Sequence, residues 1–193
     1  MRFVRDIIAP LIAAVLIFAL VKVTIGSFKV YGLSMLPSIQ NSEYIIVNKA
    51  AYFFYPPQRG EIIVLQSPHD TNSDLIKRII ALPGDTIEIK GGTVFVNNTP
   101  LVEPYIFEKT LYTLSPQKIP ADNYFVLGDN RNSSADSHTG WTVPRVNIVG
   151  KAWLTYWPPP EWRTIKHYTL NVGERIDELD KPILTMTMPC PTR

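Results

Sequence analysis

Two short stretches hold residue types that can do nucleophilic chemistry. Gly32-Leu33-Ser34-Met35-Leu36-Pro37-Ser38 presents a serine in a turn-forming apolar run, and Lys77-Arg78-Ile79-Ile80-Ala81-Leu82-Pro83-Gly84-Asp85 opens on a lysine preceded by Leu75-Ile76. A serine hydroxyl is a weak nucleophile until a base takes its proton, and a lysine is a base only when neutral. Burial among apolar side chains lowers a lysine pKa because the charged form loses its hydration. On a strand, alternation puts Lys77 on the face of Leu75 and Ile79. Alone, Ser34 reads as a turn residue and Lys77 as a solvated charge; paired, they can run acyl transfer without histidine.

A third stretch, Gly128-Asp129-Asn130-Arg131-Asn132-Ser133-Ser134-Ala135-Asp136-Ser137-His138, follows the strand-like Tyr124-Leu127. Its composition marks a tight loop. As part of a site, it would supply a hydroxyl to hold the lysine amine and an Asp-Arg pairing to lock the loop. A rival triad of Ser34, His138 and Asp129 or Asp136 leaves the lysine stretch without a purpose. His69 and His167 stand in polar, turn-like contexts and are expected to face solvent. Three scattered histidines, no clustered carboxylates and one cysteine, Cys190 between two prolines, give no support to a metal site or an internal disulfide, and no cofactor is implied.

The elements that must position these residues are a helix and a set of strands. From Ile7 to Ile25 the chain is apolar except for Lys22 and Thr24, long enough as a helix to cross roughly 30 Å of hydrocarbon. Arg2 and Arg5 precede it, so the positive-inside rule holds the N-terminus in the cytoplasm and sends the chain beyond Gly26 across the membrane. No small-residue cleavage signal comes after the span, which favours an anchor over a removed leader. Beyond it, runs rich in Ile, Val, Phe and Tyr at Phe28-Tyr31, Tyr44-Val47, Ile62-Leu65, Leu75-Ile80, Thr86-Ile89, Val94-Val96, Tyr124-Leu127 and Ile148-Tyr156 predict antiparallel β structure. Gly91-Gly92 between two alternating runs predicts a hairpin. Residues 97–122 lose the alternation and read as an excursion from the sheet. The chain divides into an N-terminal segment and anchor (1–27), a β-rich domain (28–160) and a tail (161–193) with one short strand expected near Tyr168-Val172. With 19 Lys and Arg against 17 Asp and Glu, the net charge of +2 offers no basic stripe for nucleic acid.

The three stretches, in this order after an N-terminal span, resemble the bacterial type I signal peptidases, with features of their cyanobacterial and plastid branch. Ser34 to Ser38 fits that family's Ser-Met-x-Pro-Thr/Ser motif, and Lys77 to Asp85 its lysine motif. The resemblance runs from the anchor to about Pro158. It implies a mainly β, barrel-like catalytic domain and an endopeptidase that acts on exported preproteins at a lipid membrane. It implies that Ser34 attacks, Lys77 is the general base, Ser134 orients the Lys77 amine, and Asp129, Arg131 and Asp136 brace the loop. The Ser34 N–H would contribute to the oxyanion hole, while Phe28, Val30, Leu75 and Ile76 match positions that line the pockets for small substrate residues. Four departures from the pattern stand out. Gly32 stands where some members carry a serine hydroxyl donor, so its backbone is one candidate replacement; His138 replaces the usual arginine; Gly140-Trp141 reverses a usual order; Ala81 replaces a common glycine.

Overall fold

The computed structural model describes residues 2–70 and 73–170. The apolar span forms one helix, α1 (Arg2–Thr24), and the side chains from Ile7 to Val23 all face outward. It is the one helix among the described residues long and apolar enough to cross a membrane. Strand β1 (Ile25–Lys29) begins at the next residue, three positions earlier than the sequence pattern predicts.

After β2 (Tyr44–Asn48) and a single helical turn, α2 (Ala51–Phe54), come β3 (Ile62–Gln66), β4 (Asp74–Ala81), β5 (Thr86–Lys90), β6 (Thr93–Val96) and β7 (Thr99–Pro100). The chain continues through β8 (Leu114–Lys118), β9 (Asn123–Leu127), β10 (Val143–Pro144), β11 (Ile148–Trp157) and β12 (Arg163–Thr164). An antiparallel sheet runs β1-β2-β11-β3-β4-β9-β10, with β12 on β11; a smaller one runs β7-β6-β5-β8. The fold is thus mainly β with an N-terminal apolar helix. Register shifts in β11 and β4 insert extra residues, which bend strands and raise twist, so the large sheet curls into an open half-barrel.

The seven strand runs from Tyr44 onward fall on observed strands, and the Gly91-Gly92 hairpin joins β5 to β6. Residues 97–122 instead contain β7 and β8, which flank that hairpin. β8 was hidden because it is an edge strand of polar composition with Pro116, a residue tolerated where one side needs no partner. The strand expected at 168–172 is absent from its described part, 168–170; the remainder lies outside the described residues, as does Cys190.

Three buried clusters organise the fold. One, around Ile80, Ile87, Val94, Phe125 and Leu127, joins the two sheets. A second fills the other side of β3 and β9 through Ile63, Leu65, Ile79 and Val126. The third gathers Val30, Met35, Ile39, Ile45, Val64 and Ile165, and it supports the Ser34 stretch.

Candidate active site

Ser34 lies on the turn between β1 and β2. Met35 and Ile39 are buried and drive into the third cluster, anchoring the turn by its apolar residues and leaving its serine at the surface of that core. Lys77 sits on β4, paired with Ile63 of β3. It is only 3% exposed, and its Nζ is hydrogen-bonded to Ser34 Oγ at 2.8 Å. Burial pushes its pKa below the ordinary lysine range, against the opposing pull of the Asp136 and Asp129 charges. A neutral amine in that place can accept the serine proton.

Phe28, Val30, Leu75 and Ile76 line one cavity of about 320 Å³ together with Ser34 and Lys77. Its walls are two strand edges. β1 ends the large sheet, and β9 pairs with β4 only from Arg78 onward, leaving Leu75 to Lys77 unpaired on that side. Edges of this kind can accept an extended peptide as an added strand.

The loop after β9 is held by bonds of Asp129, Arg131 and Asp136, each to a partner of its own. Asp129 does not pair with Arg131. It takes two hydrogen bonds from Arg78, at 2.8 and 2.7 Å, and a third from Ser38 Oγ at 2.5 Å. Both members of the Arg78–Asp129 pair are fully buried, and the guanidinium lies 4.1 Å from the Tyr105 ring centre and 5.2 Å from that of Tyr168. One ion pair therefore ties the lysine strand, the acidic loop and the serine turn together. Arg131 instead makes a two-pronged pair with Glu103 and donates from Nε to Gly128 O. The Asp-Arg pairing therefore runs from the loop to β4 rather than within the loop. Asp136 accepts from the Gly128 N–H at 2.9 Å and is 2.7 Å from His138 Nδ1.

Ser134 Oγ is buried and makes no hydrogen bond among the described residues, so the expected link to Lys77 is not formed. Gly32, at φ +93°, has its N–H bound to Asn41 Oδ1 at 3.0 Å. That engagement removes it as an oxyanion donor in this arrangement. His138 bonds to Asp136 rather than to Ser34. His69 is exposed, but His167 is not: Nδ1 accepts the Ile62 N–H and Nε2 is bound to Ala152 O, because the segment after β12 packs back onto β3 and β11.

Sequence reasoning passed over two residues that shape the serine turn. Asn130 donates from its backbone to Ser34 O at 3.0 Å and from its side chain to Leu33 O at 3.1 Å. Gly128 is there for space, since a Cβ at that position would stand 2.3 Å from Ser134 Oγ and 2.5 Å from Ser34 O. The only available sign was the Gly-Asp-Asn run, which also describes any tight loop.

The class is that of the serine endopeptidases, hydrolases of the peptide bond. The chain belongs to the family described as signal peptidase, peptidase S26, whose model matches residues 3–157. It is 46% identical to a signal peptidase I of Leptolyngbya laminosa over 65% of this chain and 65% of that protein. It is 35% identical to the probable signal peptidase I-1 of Synechocystis sp. over 87% of this chain and 90% of the relative. The thylakoidal processing peptidase 1 of Arabidopsis thaliana is 36% identical over 65% of this chain and 40% of its own length.

Proposed function

We propose that the protein is a membrane-anchored peptidase that removes signal peptides from exported preproteins with a Ser34–Lys77 dyad. The observation that carries this reading is the 2.8 Å contact between Lys77 Nζ and Ser34 Oγ, with the lysine shielded from water. Neutral Lys77 takes the Ser34 proton as Oγ bonds to the scissile carbonyl carbon. The resulting ammonium returns that proton to the leaving amine as the C–N bond breaks. A water then attacks the acyl-enzyme, giving one proton to Lys77, which passes it back to Ser34 as the acyl bond breaks. The Ser34 N–H is one donor to the oxyanion. Phe28, Val30, Leu75 and Ile76 receive the small side chains of a substrate strand laid between the edges of β1 and β4.

The catalytic domain stands on the outer side of the membrane, with Arg2 and Arg5 holding the N-terminus in the cytoplasm. The close join of α1 to β1 supports an enzyme confined to bonds near the bilayer. Phe53, Phe54, Tyr55, Trp153, Trp157 and Trp162 are exposed and rest in the lipid interface, while Tyr52 turns inward. The names of the relatives support signal-peptide-bearing substrates and leave a thylakoid as well as a plasma membrane open.

The test is cleavage of a preprotein by the full chain in detergent micelles. Ser34→Ala and Lys77→Ala are expected to lose at least about 10³-fold in rate. Normal rates in both variants overturn the dyad, and a wild type that never cuts favours an inactive membrane-anchored binding module.

A further inference from the structure

A peptide unit is planar, and in its trans form the carbonyl oxygen and the N–H point in opposite directions. The Leu33–Ser34 bond is trans, so one rigid plate carries the Leu33 oxygen on one side and the Ser34 N–H on the other. Whatever grips that oxygen therefore aims that N–H. Leu33 O is gripped twice, by Asn130 Nδ2 at 3.1 Å and by the Leu36 N–H at 3.2 Å. The Ser34 N–H, by contrast, has no acceptor among the described residues.

We propose that Asn130 is a positioning residue that holds the Leu33–Ser34 peptide so that the Ser34 N–H meets the oxyanion of the tetrahedral intermediate; this rests on the Ser34–Lys77 reading. A donor lowers the barrier most when it is aimed before the charge develops, because no reorientation is then needed during the reaction. Two donors on the Leu33 oxygen also polarise the unit and make its N–H a stronger donor. With the Gly32 N–H committed to Asn41 Oδ1, more of the oxyanion's stabilisation falls to Ser34.

The amide of Asn130 is suited to this place. A carbonyl oxygen only accepts, so the side chain must present its nitrogen to Leu33 O. The Asn130 backbone N–H donates to Ser34 O at 3.0 Å, so one residue holds the peptide units before and after the nucleophile. Asn130 is itself fixed. Its neighbour Asp129 is buried against Arg78 and accepts from Ser38 Oγ at 2.5 Å, while Asn130 O accepts the Ser133 N–H at 3.1 Å. The loop thus grips the turn at Leu33, Ser34 and Ser38. Asn130 is half-buried and Leu33 exposed, so water competes for the Leu33 oxygen and the clamp is worth less than the donor it aims.

The experiment is steady-state preprotein cleavage by the full chain in detergent micelles. It compares wild type with Asn130→Leu, which keeps the size and the backbone N–H but has no side-chain donor, and with Asn130→Ala, beside Ser34→Ala and Lys77→Ala. In both Asn130 variants kcat is expected to fall about 10-fold, against about 10²-fold or more for loss of a whole donor, with KM unchanged. A peptide aldehyde ending at the preprotein's cut site bonds through its carbonyl carbon to Ser34 Oγ. The serine proton passes to the former carbonyl oxygen, which takes the oxyanion's place. Affinity for the aldehyde should fall by the same factor as kcat, while the matching peptide alcohol, which has no carbonyl there, should bind as it does to wild type. A residue that only stabilises the loop lowers activity in step with the folded fraction and leaves the ratio of aldehyde to alcohol affinity alone. An unchanged kcat, or an unchanged affinity ratio, overturns the proposal; if Asn130→Leu does not fold, Asn130→Ala decides alone. Normal cleavage by Ser34→Ala or Lys77→Ala overturns the dyad itself, whatever Asn130 does.

Discussion

Two cavities of this molecule are lined by buried polar groups, and they treat those groups in opposite ways. In the cavity of about 600 Å³ lined by Tyr52, Glu61, Lys151 and His167, the partners are complete. Glu61 accepts from Tyr52 at 2.8 Å, from the Gln58 N–H at 3.0 Å and from Lys151 at 2.6 Å, and His167 uses both ring nitrogens. Burial alone would raise the Glu61 pKa, but these bonds outweigh it and hold the carboxyl below its usual value. In the cavity beside Ser34, the buried amine of Lys77 has one hydroxyl for a partner, and the Ser134 hydroxyl nearby in the chain's acidic loop has none among the described residues. Satisfied polar groups hold a fold together, while an under-satisfied base keeps a proton affinity that chemistry can use.

The sharpest way to break this contrast is to make the same substitution in both places. Lys77→Met removes a desolvated amine and puts a side chain of similar size among apolar neighbours. Cleavage is expected to fall at least about 10³-fold while the melting temperature stays level or rises. Lys151→Met leaves Glu61 without its cation, and because Lys151 is partly exposed the loss should be about 1–2 kcal/mol of stability, with cleavage of the folded protein little changed. Preprotein cleavage beside thermal unfolding reads both. Equal stability losses at the two lysines would erase the distinction.

Gly128→Ala is the next largest expected effect. Its Cβ would press on Ser34 O and Ser134 Oγ at distances no real Cβ tolerates, so the serine turn or the loop must move. A displacement of that kind should cost about 10²-fold in rate, because reacting atoms must meet within a fraction of an ångström. Cleavage kinetics with melting temperature checks it: a rate loss far beyond the loss of folded protein is the expected pattern, and an unchanged rate would show that the turn has slack.

Legibility in the sequence divides along the same line. The strands were legible because each alternates or runs apolar against a core, as Ile62-Leu65 and Tyr124-Leu127 do, and burial imposes that pattern. β8 was not, since an exposed edge demands no apolar face. Ser34 and Lys77, ordinary residues when each is taken alone, stood out only when their two stretches were read together. The partners did not. Asp129 finds Arg78 and Arg131 finds Glu103 across long stretches of chain, and such pairs leave no local period to detect. Arg163 is a further case: from the segment read as a tail, it reaches Glu43 and the Ser38 carbonyl.

The smallest expected effect concerns His167, the satisfied counterpart of Lys77. Burial, joined by the charge of Lys151, lowers its pKa from the ordinary 6.5 to about 4. The folded state thus prefers the neutral ring, whose Nδ1 must keep a lone pair for the Ile62 N–H. The stability this gives is complete above the unfolded value and is lost as pH falls through about 4. His167→Gln keeps a donor and an acceptor yet cannot titrate. On acidification from neutral pH, wild type should therefore lose more melting temperature than His167→Gln, by about 2–4 °C, the shift that 1 kcal/mol produces in a domain of this size. At neutral pH both should cleave preprotein alike. Parallel melting curves for the two proteins across this range would mean that the ring is hydrated enough to protonate in place. A neutral-pH activity loss in His167→Gln would mean that this cavity, for all its completed bonds, reaches the dyad.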